Sequence, residues 1–185
     1  MAAVRIGLPG GALVLLVGPA GSGKSTFART HFGPTEAISS DFCRALVADD
    51  ENDQGATDAA FEILYLVVEH RLRRRRLTVV DATNVNPRDR GGLLDLSRRY
   101  RAPAVAIVFD LPAQLCVDRD AQRDGRTVGP AVVRRQWRAM RRSLPDLAAE
   151  GFAAVHVLDS PESVAAATIE RSARGEGEAS LAPTR

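Results

Sequence analysis

The feature that most constrains the fold is an apolar run, residues 13–17, that leads directly into Gly18-x-x-x-x-Gly23-Lys24-Ser25. This is the Walker A pattern of a P-loop, in which glycines let successive backbone N–H groups point at a phosphate. The pattern predicts that Lys24 reaches the β- and γ-phosphates of a nucleoside triphosphate and that the Ser25 hydroxyl ligates Mg²⁺. The helix that follows adds its N-terminal dipole to the site. A glycine-rich turn without a ligand is the weaker interpretation, because a strand and a helix flank the glycines. The nucleotide-binding residues predicted in this loop are Gly18, Ala20, Gly21, Ser22, Gly23, Lys24, Ser25 and Thr26.

The basic residues of the chain are unusual, because Lys24 is the only lysine among 25 lysines and arginines. A compact ammonium on a flexible stem fits between phosphate oxygens where a planar guanidinium does not. The one retained lysine therefore supports a phosphate-binding role for this loop.

Length and composition indicate one globular domain. The 185 residues, 45% of them hydrophobic, suffice for a single core. We expect the domain to cover residues 1–171 and the polar, aperiodic residues 172–185 to form a disordered tail or linker. Cys43 and Cys116 lack metal-ligand and disulfide spacing, which favours buried thiols in a cytoplasmic protein. The apolar runs are too short to span a bilayer, so no membrane partner is expected.

Strands and helices alternate along the chain, which predicts an α/β fold. We expect a P-loop three-layer sandwich with a parallel central sheet of four or five strands, helices on both faces and a helical arginine lid. The predicted strands are 13–17, 36–39, 77–81, 104–110 and 153–158. The predicted helices are 24–31, 42–47, 56–75, 87–100, 113–124, 130–143 and 161–171.

Two acidic residues follow predicted strands and are therefore expected at the ligand-binding edge of the sheet. Asp41 either faces the phosphates or caps the next helix, and its spacing leaves both roles open. Asp81 ends an apolar strand as a Walker-B acid does, which would place it on Mg²⁺ directly or through water. The alternative for Asp81 is a cap of the following turn.

Charged clusters give less specific signals. The acidic run 49–54 does not match a calcium loop and is interpreted as solvated. Arg119 and Arg123 lie four residues apart on one helical face and Arg126 follows, which is typical of a lid over a transferred phosphate or of a solvated face. The arginines of 71–76 suit either the negative end of a helix dipole or a polyanion.

Several longer strings resemble the 5′-kinase domain of bacterial polynucleotide kinase-phosphatase, an RNA-repair enzyme. The similarity covers 13–171 and rests on the P-loop, the arginine lid and the strings 38–44, 49–54, 77–85 and 150–152. It implies a transferase that uses ATP or another NTP with Mg²⁺ to phosphorylate the 5′-OH end of RNA or DNA. In that family the kinase is joined to phosphatase and ligase modules, and neither is assigned to this chain.

The resemblance also implies roles for individual residues. Asp41 would be the general base and Arg44 its neighbour at the acceptor end, while Gln54 would contact the acceptor or order the acidic loop. Arg119 and Arg123 would engage the NTP phosphates, with Arg126 assisting. The implied catalytic residues are therefore Lys24, Asp41, Arg119 and Arg123.

Two other functions fit the same residues. A small-molecule kinase, acting on a nucleoside or antibiotic hydroxyl, would use the same loop and base. An ATP-dependent switch or binding module would hydrolyse ATP slowly and ignore any hydroxyl acceptor.

Overall fold

The computed structural model of the chain describes residues 4–123 and 127–172. Residues 173–185, most of the predicted tail, lie outside the described residues. The strands are β1 (Val4–Leu8), β2 (Leu13–Val17), β3 (Ala37–Ser39), β4 (Thr78–Asp81), β5 (Ala104–Phe109), β6 (Ala154–Leu158) and β7 (Ala167–Arg171). The α-helices are α1 (Lys24–His31), α2 (Ser40–Ala48), α3 (Thr57–Arg73), α4 (Pro87–Arg99), α5 (Ala113–Ala121), α6 (Pro130–Ser143) and α7 (Pro161–Ala166). Two 3₁₀ segments cover Gln54–Ala56 and Leu144–Glu150.

Five strands form a parallel central sheet in the order β3-β4-β2-β5-β6. All residues of β2, β4 and β5 are buried, as expected for strands covered on both faces. Alternate residues of β2 enter two separate cores, because successive side chains of a strand point to opposite faces. Leu13 and Leu15 pack on the α3 side, whereas Val14 and Leu16 pack on the α1 side. The predicted α/β fold with a parallel five-stranded sheet is confirmed.

A second, two-stranded parallel sheet pairs β1 with β7, and the sequence analysis missed it. The prediction of one helix over 161–171 is wrong, because α7 ends at Ala166 and the chain turns extended at Ala167. Ile6 and Leu8 of β1 are buried in the core on the α1 side, which explains why this terminal pair forms. Helix α5 is also shorter than predicted, ending at Ala121.

Both cysteines are free and buried, as predicted. Within 4–123 and 127–172, helices long and apolar enough for a membrane span are absent.

A buried ion pair ties the loop after β4 to the rest of the fold. Arg90 of α4 is fully buried and donates from Nε and Nη2 to the Glu150 carboxylate, at 2.7 and 2.5 Å. Its Nη1 donates to the Asn84 carbonyl oxygen at 2.7 Å. The neighbouring Thr83 carbonyl accepts a hydrogen bond from the Gly18 N–H at 2.9 Å, so this network supports the first residue of the P-loop.

Replacing Arg90 should destabilise the protein strongly, because Glu150 would be left without its cation. We expect Arg90→Leu to lower the free energy of unfolding by about 3–5 kcal/mol, measured by urea denaturation. Arg5→Ala, which removes the exposed pair with Glu170, is the control and should cost less than about 1 kcal/mol. Equal losses for the two variants would contradict the structural role given to Arg90.

Candidate active site

The P-loop lies directly against the backbone of α5. Gly21 and Gly23 have left-handed φ angles of 75° and 94°. A Cβ added at Gly21 would sit 2.0 Å from the Cys116 carbonyl oxygen, so only glycine allows this approach. The close contact fixes α5 beside the loop.

Lys24 is nearly buried at the start of α1. Its Nζ donates to the Pro19 carbonyl oxygen at 2.7 Å and to the Ser22 hydroxyl at 3.2 Å. Both acceptors belong to the P-loop, so the ammonium is held at the phosphate-binding loop rather than in solvent.

Helix α6 contacts the P-loop through Gln136, a residue that sequence analysis missed. The Ala20 N–H donates to Gln136 Oε1 at 2.9 Å across 116 residues of chain. Trp137 anchors the same helix by donating from Nε1 to the Leu111 carbonyl oxygen at 2.9 Å. A glutamine within an arginine-rich helix gives no sequence signal for such a contact.

Asp120, near the end of α5, is hydrogen-bonded to the residues just before α6. It is almost fully buried, and its Oδ2 accepts hydrogen bonds from the N–H groups of Val128 and Gly129 at 3.0 and 3.1 Å. These bonds connect Asp120, which precedes the undescribed segment 124–126, to two residues that follow it. Asp120 was also missed in the sequence analysis.

Of the three arginines predicted to form a lid, the structure describes Arg119 and Arg123. Burial raises the pKa of the Cys116 thiol, while the positive charges of Lys24 and Arg119 lower it and the Asp110 charge raises it. Arg119 therefore lies within electrostatic reach of the same thiol as Lys24. Arg123 is exposed beyond the end of α5. Arg126 lies outside the described residues.

Asp81 lies at the carboxyl end of β4, in register with Leu16 of β2. It is nearly buried, and its carboxylate makes no hydrogen bond or ion pair with any residue of the described chain, so the structure does not show it capping the following turn. Helix α1, which carries Ser25 in its first turn, contacts β4. A hydroxyl and an otherwise unpartnered carboxylate are oxygen donors suited to Mg²⁺, so these residues fit the ion.

Asp41 does not cap α2, because Ser39 is the N-cap. The Ser39 hydroxyl accepts from the N–H groups of Asp41 and Phe42 at 3.2 and 3.3 Å. Asp41 instead accepts a hydrogen bond at Oδ1 from Arg44 Nη1 at 2.9 Å. Burial lowers the pKa of Arg44, whereas the charges of Glu51 and Cys43 raise it.

Arg44 also connects the acidic loop to Asp41. Its Nη1 donates to the Glu51 carbonyl oxygen at 2.6 Å. Gln54 is exposed and donates from Nε2 to the Asn52 carbonyl oxygen at 3.2 Å, within the same loop. That contact is what a role of Gln54 in ordering the acidic loop would require. The other predicted role of Gln54, contact with an acceptor, stays a prediction.

The register places the two halves of the site near each other. Ser39 and Leu16 both pair with Asp81, from opposite sides of β4. Adjacent strands are about 4.8 Å apart, so the end of β3 lies about 10 Å from the end of β2. Asp41 follows β3 and the P-loop follows β2, so both lie toward the carboxyl edge of the sheet.

Comparisons with known proteins agree with this architecture. Residues 13–147 match the family described as an AAA domain. The chain is 32% identical over 113 residues to transcription factor bHLH140 of Arabidopsis thaliana, which covers 61% of this chain and 12% of that protein.

Two solved structures illustrate the structural likeness. A chain of the Pnkp1/Rnl/Hen1 RNA repair complex matches with a TM-score of 0.63 and 24% identity, over 79% of this chain and 47% of that one. A gluconokinase from Sinorhizobium meliloti 1021 matches with a TM-score of 0.51 and 15% identity, over 85% and 87%. The chain thus spans less than half of the matched RNA-repair chain and a small part of the plant protein. The resemblance predicted from the sequence is confirmed at the level of family and fold.

Gly21→Ala should impair nucleotide binding, because the new Cβ would collide with the Cys116 carbonyl and displace the loop. We expect ATP affinity to fall about 10-fold or more, measured by isothermal titration calorimetry. Gly129→Ala is the control, since its φ is also positive, at 85°, but no atom of residues 4–123 or 127–172 lies within 4 Å of the added Cβ. The control should leave ATP affinity within about 2-fold of wild type. The strain of an alanine in a left-handed conformation should lower the stability of the fold instead. Unchanged affinity in Gly21→Ala would contradict the close-contact argument.

Proposed function

Because the chain belongs to the AAA domain family, we propose that it is a kinase that transfers the γ-phosphate of ATP, or another NTP, to the 5′-OH end of RNA or DNA. The observation that carries this proposal is that Asp41, paired with Arg44, follows β3 at the sheet edge where β2 leads into the P-loop. We further propose that residues 1–171 form the kinase domain and 172–185 a tail or linker. A carboxylate at this edge would take the proton of an acceptor hydroxyl beside the γ-phosphate.

The P-loop half of the site would hold the donor nucleotide. Backbone N–H groups and Lys24 bind the phosphates, and Arg119 offsets the charge that develops on the transferred group. Arg123 and Arg126 would add to this positive charge. Mg²⁺, held by Ser25 and by Asp81 directly or through water, would supply further charge neutralisation.

The α2 half of the site would hold the acceptor. Asp41 takes the proton of the 5′-OH as its oxygen attacks the γ-phosphorus and the bond to the β-phosphate oxygen breaks, which releases the diphosphate. Arg44 keeps the Asp41 carboxylate oriented through Oδ1. Because Arg44 also holds the acidic loop, this loop and the base would move as one unit.

An apolar surface beside Asp41 supports a nucleic-acid acceptor. Phe42 and Leu46, one helical turn apart on α2, are 63% and 60% exposed. Bases stack on exposed aromatic side chains with little dependence on sequence, so Phe42 suits the terminal base of a strand. The similarity to a chain of an RNA repair complex points the same way, and nucleic-acid ends and other RNA-repair enzymes are the partners we propose.

A small-molecule kinase is the second candidate. Its support is the structural likeness to a gluconokinase, which extends over 87% of that chain. Radiolabel transfer from ATP separates the candidates, because a polynucleotide kinase labels a 5′-OH oligonucleotide and ignores free nucleosides and sugar acids. Transfer to nucleosides alone would favour the second candidate. ATP hydrolysis that no acceptor stimulates would instead indicate a switch or binding module.

Asp41→Asn should abolish phosphate transfer, because the amide retains a hydrogen bond with Arg44 but cannot accept the proton. We expect a loss of about 10²-fold or more in the oligonucleotide-labelling rate, with ATP affinity within about 2-fold of wild type. Asp58→Asn changes an exposed acid at the corresponding first turn of α3 and serves as the control. If Asp41→Asn keeps near wild-type transfer, the base assignment is wrong and Asp81 becomes the next candidate.

Arg119→Ala should slow transfer by about 10²-fold, because a charge near the γ-phosphate would be lost. Single-turnover labelling at saturating ATP measures the effect on the chemical step. Arg135→Ala on the exposed surface of α6 is the matched control. Identical rates for the Arg119 variant and the control would remove Arg119 from the lid.

A further inference from the structure

An arginine-lined cavity lies at the amino end of the central sheet, opposite the P-loop. Its volume is about 350 Å³. Its walls come from the turn between β1 and β2, the residues before β3, the end of α3 and the end of β7. The five residues of β2 separate it from the P-loop by about 17 Å. The cavity is therefore distinct from the candidate active site.

The charged residues that line the cavity are mostly arginines. They are Glu36, Arg71, Arg75, Arg76 and Arg171, which leaves a formal charge of +3. A volume of this size falls at the small end of ligand sites. Strong positive charge around a small concave site favours a compact anion over an apolar ligand.

Two of the arginines are held in place by the surrounding structure. Arg71 donates from Nε to the Thr78 hydroxyl at 3.2 Å and from Nη2 to the Leu77 carbonyl oxygen at 2.7 Å. Arg171 donates from Nη1 and Nη2 to the two Glu36 carboxylate oxygens, each at 2.9 Å. These guanidinium groups are thus positioned before any ligand arrives.

Glu36 is paired with Arg171 and its charge also acts on Arg71, so a single carboxylate faces the four arginines of the cavity. Desolvation raises the pKa of Glu36, but hydrogen bonds and the charge of Arg171 outweigh this and lower it, so the carboxylate stays ionised against Arg171. Burial lowers the pKa of Arg71, Glu36 raises it, and the like charge of Arg76 lowers it further. An anion in the cavity would relieve this repulsion.

We propose that this cavity binds a phosphate-bearing anion, namely the phosphates of a free nucleotide or the phosphodiesters of a nucleic-acid strand. Planar guanidinium groups bind phosphate oxygens with two parallel hydrogen bonds, which suits a cluster of arginines. The dipole of α3 explains why arginines collect at its C-terminal end. Arg171 comes from β7, is held by Glu36 and completes the wall.

The test uses the full chain with Lys24→Ala, so that the P-loop no longer contributes strong phosphate binding. Pyrophosphate binding is measured by calorimetry, and binding of a short single-stranded oligonucleotide by fluorescence anisotropy. Arg75→Ala with Arg76→Ala removes two cavity arginines. Arg74→Ala with Arg101→Ala is the control, because it removes the same charge outside this cavity. Each double variant replaces one arginine that has a left-handed backbone, Arg75 with φ of 52° or Arg101 with φ of 51°. The backbone strain of the two variants is therefore matched.

We expect the cavity variant to weaken binding of at least one probe about 10-fold or more and the control to change it less than about 2-fold. Loss of pyrophosphate binding identifies free phosphates as the ligand, whereas loss of oligonucleotide binding alone identifies strand phosphates. Equal effects in the two double variants, or no binding in the Lys24→Ala background, would overturn the proposal. Phosphate transfer is not measured, so the outcome is independent of the proposed kinase activity.

Discussion

The close approach of Gly21 to the Cys116 carbonyl is the contact on which the arrangement of the candidate site depends. It seats α5 on the P-loop and brings the charge of Arg119 to the same thiol as that of Lys24. Gln136 adds a hydrogen bond from α6 to the loop. Together these contacts fix α5 and α6 beside the P-loop.

The residues around Asp41 are held by different contacts. Ser39 caps α2, which frees the Asp41 carboxylate to pair with Arg44. Arg44 in turn holds the backbone of the acidic loop at Glu51. The parallel sheet brings these residues to the edge where the P-loop begins.

The sequence predicted the elements whose signals are local. Uninterrupted apolar runs identified β2, β4 and β5, because strands covered on both faces need no alternation. The P-loop followed from glycine spacing alone. Non-local contacts gave no such signal: Gln136 meets the P-loop across 116 residues, and Arg90 meets Glu150 across 60. Residues 167–171 form a strand only because β1 lies beside them, so their local sequence suggested a helix.

The pairing of β1 with β7 bears on how the protein folds as it leaves the ribosome. Ile6 and Leu8 belong to the first described strand, yet the strand that pairs with β1 is nearly the last described segment to be made. Before β7 has been made, β1 has an unpaired strand edge, and its apolar side chains Ile6 and Leu8 lie beside a partly formed core. Nascent chains with such exposed edges are prone to aggregate and are recognised by chaperones. The small sheet thus joins the first and the last described strands and covers the core on the α1 side only once β7 has been made.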